Sequence, residues 1–346
     1  MSLEKRRQLT GEDLHAAIDD VQARTLALWP RIASDLGLPV AGASFRRLQV
    51  NSRRQDSRSV QEVTIATGQR FVLRAVFEET NTLRQRRFFD RHEQAANKLK
   101  PVFGVSSPKL LWRDQDRPFV LMEFAHGNTA FRELALTEYG FGDRSQTIRR
   151  IGRAVAELHR VSDVGYMKFW PKPLLIKVSK RAHALRSGDL SIPKPKRFLG
   201  LCAHLHRAGQ RARGQVFRGA SEHGDLHLRN ILMSESEVSF IDYSNHDGVF
   251  PQRDIADIWL SNCPDHLASG GRAPGFGHIA KEDWAAFAEG YGADLTTDPV
   301  FRFFFALRLF KLWSGLGHKR PDQQQKTNSV AAAAVEVFEA LLGNED

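Results

Sequence analysis

"EHGDLHLRNILM" spans Glu222 to Met233, and "SFIDYSN" spans Ser239 to Asn245. The first stretch holds His223, Asp225 and Asn230, and it runs directly into an apolar Ile-Leu-Met segment. The second carries Asp242 at the end of a short apolar run. Two brief apolar runs with polar residues between them predict a small hairpin. A loop entering that hairpin brings two carboxylates and an amide to one place. The plain alternative is turn chemistry, because Asp and Asn are common in loops and at helix starts.

Upstream of this hairpin the pattern is strand-rich. "SFRRLQV", "SVQEVTIATG" and "RFVLRAVF" follow one another from about residue 45, with a turn at Gly68-Gln69. Val63 and Ile65 alternate with polar residues, which predicts an antiparallel meander. "TLRQRRFFDRHEQAANKLKPV" reads as a helix with Phe88, Phe89, His92, Ala96 and Leu99 at three- and four-residue steps, ended by Pro101. "KLLWRDQ" and "RPFVLMEFA" read as two more strands. Residues 10–34 read as one helix, with Thr10 and Asp13 as a capping-box-like start. After Gly127 the chain turns mainly helical. "TIRRIGRAVAELHRV" carries one apolar stripe, and "FRFFFALRLFKLW" reads as a buried helix despite Arg302, Arg308 and Lys311. "GGRAPGFG" reads as a mobile loop, without the Lys-Ser/Thr of a nucleotide P-loop. The two-residue steps of "CAHLH" do not share a helix face, so it is not read as a metal site.

This order predicts an α+β chain of two lobes with a cleft between them. Residues 1–40 are expected to form a helical extension, 41–124 a small antiparallel-sheet lobe, and 125–346 a larger, mainly helical lobe. The chain has 346 residues, ample for a real core. Only Cys202 and Cys263 are present, which argues against a disulfide framework and for a reducing, cytoplasmic setting. Neither a signal peptide nor a membrane-spanning run is expected. Formal charge is +10, and between Tyr166 and Ser221 there are 13 Lys and Arg against one acid, Asp189. Such a tract can meet nucleic acid, an anionic membrane or an anionic small molecule, or simply be solvated. Its aromatics are not interleaved for base stacking, so no specific nucleic-acid partner is expected.

His223-Gly224-Asp225, four residues, then Asn230 has the spacing of the kinase catalytic loop, and Asp242 in "IDY" stands where the second metal motif of kinases has its aspartate. Phosphoryl transfer places charge on the oxygens of the moving group, and its catalysis is mostly positioning and charge stabilisation. A carboxylate and an amide oxygen, Asp242 and Asn230, suit the hard Mg²⁺ ion. Asp225 must then stay off the metal and accept the proton of the attacking hydroxyl.

With "HGDLHLRN", "IDY" and, further on, "DIA", the sequence resembles the aminoglycoside phosphotransferase/choline kinase-like family of the protein-kinase-like fold. The resemblance runs from about residue 45 to 260. It implies ATP as donor, Mg²⁺ as cofactor and a small-molecule hydroxyl as acceptor. It also places Arg74 where the family carries a phosphate-holding lysine. Glu93 on the next helix can pair with Arg74, Val72 can roof the adenine, and the Glu123 and Ala125 backbone can meet the adenine edge. His223 and Asp254 are expected to brace the loop. The hairpin "VNSRRQDSRSV" lacks the glycines of a phosphate cover, leaving Ser52, Ser57 or Ser59 for that task. The scarcity of acids between 166 and 221 points to a neutral or anionic acceptor, such as a sugar or sugar phosphate, rather than an aminoglycoside or choline. A kinase-like scaffold with little turnover, and a protein kinase of the same fold, are the rival readings. Oligomeric state is left open.

Overall fold

A computed structural model of the chain describes residues 11–53, 56–77, 82–244, 247–265, 267–268, 271–318 and 324–343. The chain divides into two compact units: residues 1–97 with 107–126, and residues 98–106 with 127–346.

The first unit begins with α1 (Gly11–Leu26) and α2 (Trp29–Leu36). The single helix expected over 10–34 is therefore broken. Pro30 has no N–H to continue the hydrogen-bond ladder, so α2 starts afresh with proline in its first turn, where that N–H is not needed. Thr10, the expected capping residue, lies outside the described residues. Strands β1 (Ser44–Arg53), β2 (Asp56–Thr64) and β3 (Arg70–Val76) form the expected antiparallel meander. The turn between β2 and β3 closes through Gly68, at φ +84°, whose N–H donates to the Ile65 carbonyl (2.9 Å). Then come α3 (Thr82–Leu99), the two-residue β4 (Val105–Ser106), β5 (Leu110–Arg113) and β6 (Phe119–Glu123). The five-stranded sheet has the order β1-β2-β3-β6-β5.

Strand alternation gives this sheet two different faces. Val63, Phe71, Leu73 and Leu121 point to one face and pack with Trp29 and Ile32 of α2. Arg46, Glu62, Val72 and Met122 form one cross-strand row on the other face. Val60, Arg74 and Val120 form the next row on that same face.

In the second unit, β4 joins β7 (Asn128–Thr129), β10 (Ile231–Met233) and β11 (Val238–Phe240) in a sheet of order β4-β11-β10-β7. The hairpin read from the sequence is β10–β11, with Ile231 opposite Phe240. A two-stranded ribbon, β8 (Asp163–Lys168) with β9 (Val216–Ala220), stands apart from that sheet. The helices are α4 (Ala130–Glu138), α5 (Arg144–Val161), α6 (Lys172–Arg186), α7 (Pro195–Ala212), α8 (Pro251–Leu260), α9 (Lys281–Tyr291), α10 (Pro299–Ser314) and α11 (Gln324–Gly343).

The aromatic run in α10 is core. Phe303 and Phe304 meet Phe169 at centroid distances of 5.2 and 5.3 Å. Each such buried ring contributes roughly 2–3 kcal/mol. Asp298 caps the helix by accepting the Val300 N–H (2.8 Å). The segment expected to be a mobile loop is instead packed over its described residues. Phe276 is buried against Trp284, Phe301 and Phe305, and its carbonyl accepts the Trp284 indole N–H (2.9 Å). The glycines signal a loop, but the phenylalanine between them anchors it. Both cysteines are free and buried, and burial pushes each thiol up to about 12. Among the described residues no helix is long and apolar enough to cross a membrane.

Candidate active site

The loop from Ser221 to Asn230 leads from β9 into β10, and backbone bonds tie it to the chain after β11. Ile241 N–H donates to the Asn230 carbonyl (3.0 Å), and Ser244 N–H to the His223 carbonyl (2.9 Å). His227 N–H donates to the Asp225 carbonyl and Asn230 N–H to the His227 carbonyl, at 3.1 and 2.8 Å. The segments carrying Asp225, Asn230 and Asp242 are thereby fixed to one another.

Asp254, in the first turn of α8, holds the loop from beneath. Its two oxygens accept the N–H groups of His223 (2.7 Å) and Gly224 (2.9 Å). It is fully buried, and burial would raise its carboxyl. The bond from His159 and the nearby His159 and His223 rings, with the Gly224 N–H, outweigh burial and hold it below the usual carboxylate range. His159 Nε2 lies 3.3 Å from this carboxylate, and its Nδ1 lies 3.1 Å from the Tyr291 hydroxyl.

His223 is buried as a neutral ring. Burial pushes it down to about 4, against the opposing pull of Asp254. Its Nε2 meets the Ile241 carbonyl (2.9 Å), an acceptor, so Nε2 carries the proton. Nδ1 then accepts the Asp225 N–H (3.4 Å). The ring stacks on Tyr243 at 4.2 Å. His223 thus spans the two segments by one bond to each, a bracing task.

The side chain of Asp225 is 60% exposed, yet the surrounding protein displaces enough water to lift its carboxyl above the ordinary range. His227 opposes this rise, Asp242 adds to it, and Arg308 opposes it. His227 Nε2 stands 3.9 Å from Asp225 Oδ2, and burial holds that ring below its usual value. Asn230 donates from Nδ2 to the Asp225 carbonyl (2.9 Å). That bond fixes the amide's orientation and leaves Oδ1 as its accepting atom. Asp242 sits at φ +63°, left-handed backbone that costs roughly 1–2 kcal/mol in a residue with a Cβ and that Asp tolerates best after Asn and Gly.

Around this centre lies a set of charges that the sequence reading does not contain. Glu222 is buried, accepts the Phe250 N–H (2.9 Å) and pairs with Arg253 (3.0 Å). Burial still pushes it up to about 7. Asp257 pairs with Arg308, which also donates to the Ser261 hydroxyl (2.9 Å). Beside the loop, a cavity of about 310 Å³ is lined by Phe131, Leu228, Trp259 and Asn262 among others.

In the first unit, Arg74 is 7% exposed and its guanidinium lies over the Phe88 ring at 4.2 Å. Val72 shares its face of the sheet. Glu93 does not meet the expectation of a pair with Arg74: it is solvent-exposed on α3 and makes no ion pair among the described residues. The Arg74 guanidinium lies over two rings of α3, Phe88 and, at 5.8 Å, Phe89. Two residues before Val72, Arg70 joins Arg46 on the buried Glu62, with Nε to Oε1 at 2.6 Å. Burial would raise Glu62, but those two guanidiniums hold it below the usual range. Glu123 uses its N–H on the Lys109 carbonyl (3.0 Å), whereas Ala125 spends neither backbone group on the described residues. Ser57 and Ser59 lie on β2, and Ser59 Oγ accepts from Gln61 (2.7 Å). The side chain of Ser52 lies outside the described residues.

The sequence model of a family described as the phosphotransferase enzyme family matches residues 42–299. Among curated proteins none matches the chain. Solved structures do. A choline/ethanolamine kinase family protein from Mesorhizobium loti is 13% identical, with 94% of this chain and 96% of that one covered, at a TM-score of 0.59. An amicoumacin kinase in complex with AMP-PNP, Ca²⁺ and Ami is 14% identical over 95% and 96%, at 0.57. A macrolide 2'-phosphotransferase from Brachybacterium faecium is 13% identical over 97% and 99%, at 0.53. At these identities the likeness establishes the fold, which is the protein-kinase-like α+β fold.

Proposed function

The chain belongs to the phosphotransferase enzyme family, and from that membership we propose that it moves the γ-phosphoryl group of ATP to a hydroxyl of a small molecule. The observation that carries this reading is the joining of Asp225, Asn230 and Asp242 through the loop's own backbone bonds. Asp225 orients the acceptor hydroxyl and takes its proton. Its raised carboxyl is a stronger base than an ordinary aspartate, and its exposure leaves room for an acceptor.

Asn230 Oδ1 and the Asp242 carboxylate would hold Mg²⁺. The donor set fits: both are hard oxygens, and the Asn230 amide is locked with its nitrogen turned away. When bound, the ion supplies charge neutralisation at those oxygens. Arg74 would meet the phosphates as a planar cation kept flat by Phe88. Val72 would cover the adenine, and the Ala125 backbone would meet its edge. The amicoumacin kinase, bound to a nucleotide analogue and a divalent ion, supports nucleotide and metal use.

The acceptor in this reading is neutral or anionic. Arg308, a cation near enough to Asp225 to lower its carboxyl, supports that. The placement of Arg74 over Phe88 rather than against Glu93 favours a second reading, a kinase-like binding protein with little turnover.

ADP release in Mg²⁺ against a panel of sugars, sugar phosphates, kanamycin and choline separates these. Release stimulated by a neutral or anionic sugar is the expected result. Stimulation only by kanamycin or choline overturns the acceptor class, and nucleotide binding without any stimulated release favours the binding protein.

A further inference from the structure

The β8–β9 ribbon has one anchored face and one open face. Phe217, on the inner face, stacks on Phe250 at 5.3 Å and meets Phe169. Directly opposed residues share a face of a ribbon. Tyr166 opposes Arg218 and Lys168 opposes Val216, so the outer face alternates aromatic or aliphatic groups with cations. Tyr166 is 79% exposed and Val216 60%. Two residues beyond β8, Trp170 is 56% exposed, with the Arg213 guanidinium 5.6 Å from its ring. On α6, which buries Val178 and Ala182, exposed Ile176 lies one turn from Lys172 and one turn from Lys180, and next to Lys177. Asp163 is paired with Arg218 (2.8 Å), and Asp189 accepts from Ser187.

We propose that the outer face of the β8–β9 ribbon and the solvent side of α6 dock the protein on the anionic surface of a lipid bilayer. Tyr166, Trp170 and Ile176 enter the headgroup region, and Lys168, Lys172 and Lys177 meet lipid phosphates. Trp and Tyr settle at such interfaces because one part of each ring system is apolar and another hydrogen-bonds. Lysines among them add long-range attraction to anionic lipid, each worth about a five-fold change in affinity near the surface. Charge complementarity selects this occupant. A second copy of the same face would set lysine against lysine. A nucleic acid would use the cations and stack on the rings, but it offers nothing to exposed Val216 and Ile176. This docking is independent of the acceptor, because none of these residues belongs to the site around Asp225.

The test is co-sedimentation of the full chain with phosphatidylcholine vesicles, with and without phosphatidylglycerol, at low and high salt. Binding to the anionic vesicles alone, weakened by salt, is expected. Lys172→Glu with Lys177→Glu should lower it by at least about 25-fold, since two cations are lost and two anions gained. Tyr166→Ala with Trp170→Ala should weaken it at unchanged salt dependence. Thermal unfolding of the variants checks that they fold, and the vesicle and salt comparison on the unaltered chain stands without them. No sedimentation with anionic vesicles, equal binding to neutral ones, or full displacement by a single-stranded oligonucleotide overturns the proposal.

Discussion

Glu222 stands one residue before His223 and carries a carboxyl pushed up to about 7 by burial, despite Arg253 and the Phe250 N–H. A raised acid is more protonated in the folded than in the unfolded chain. Its stabilising contribution is therefore complete below the unfolded value of 4.5 and is lost as pH rises through about 7. Glu222→Gln cannot ionise and keeps an acceptor for the Phe250 N–H. Between about pH 5 and about pH 8 the wild type should lose roughly 2–3 kcal/mol of unfolding free energy relative to this variant. Denaturant unfolding of both proteins at the two pH values measures it, and a constant difference would show that Glu222 titrates normally. At this scale the sequence is informative only over short separations. Asp225, Asn230 and Asp242 fall within one loop and hairpin, so their meeting is legible. His159 lies 95 residues from Asp254, and Tyr291 lies 132 from His159, and nothing local announces either contact. The Glu93 reading shows the same limit: helical spacing places an acid on α3, but in the structure its side chain is solvent-exposed.

Among the elements, α5 and α9 cross where glycines let their backbones meet. A Cβ on Gly290 would lie 2.1 Å from the Arg149 carbonyl oxygen, and one on Gly152 would lie 2.6 Å from that of Phe287. Both neighbours are backbone, so the helices would have to part. Gly290→Ala should cost on the order of 3 kcal/mol, with a clear fall in unfolding temperature. Gly315→Ala is the control. It has φ −69° and open space around it, and should be neutral or stabilising by up to about 1 kcal/mol. Equal effects of the two would remove the close crossing from the account. The β1–β3 meander, α3 and the β10–β11 hairpin are legible because their periodicity is clean. Helices α6 and α7 are hidden in the basic tract: Pro193 and Pro195 read as loop signals, yet Pro195 simply opens α7. The β8–β9 ribbon escapes notice because 47 residues lie between Lys168, the end of β8, and Val216, the start of β9.

For the whole molecule, each unit keeps its own organisation: in the first, Val72 and Arg74 share a face of the sheet, and in the second, Asp254 braces the loop that carries Asp225 and Asn230. The α+β class is legible because a strand-rich part precedes a helical part. The acceptor is not, because no local pattern announces groups that meet from separate helices, as Arg308 on α10 and Asp257 on α8 do. The central claim is that Asp225 acts on the acceptor while other groups hold the nucleotide. Its most direct test is acceptor-stimulated ADP release in Mg²⁺, with nucleotide affinity measured in parallel, for the wild type and Asp225→Ala. The expected result is a rate lowered by roughly 10²–10⁴ with nucleotide affinity nearly unchanged. An unaltered rate, or an equal loss of nucleotide affinity and turnover, would contradict it.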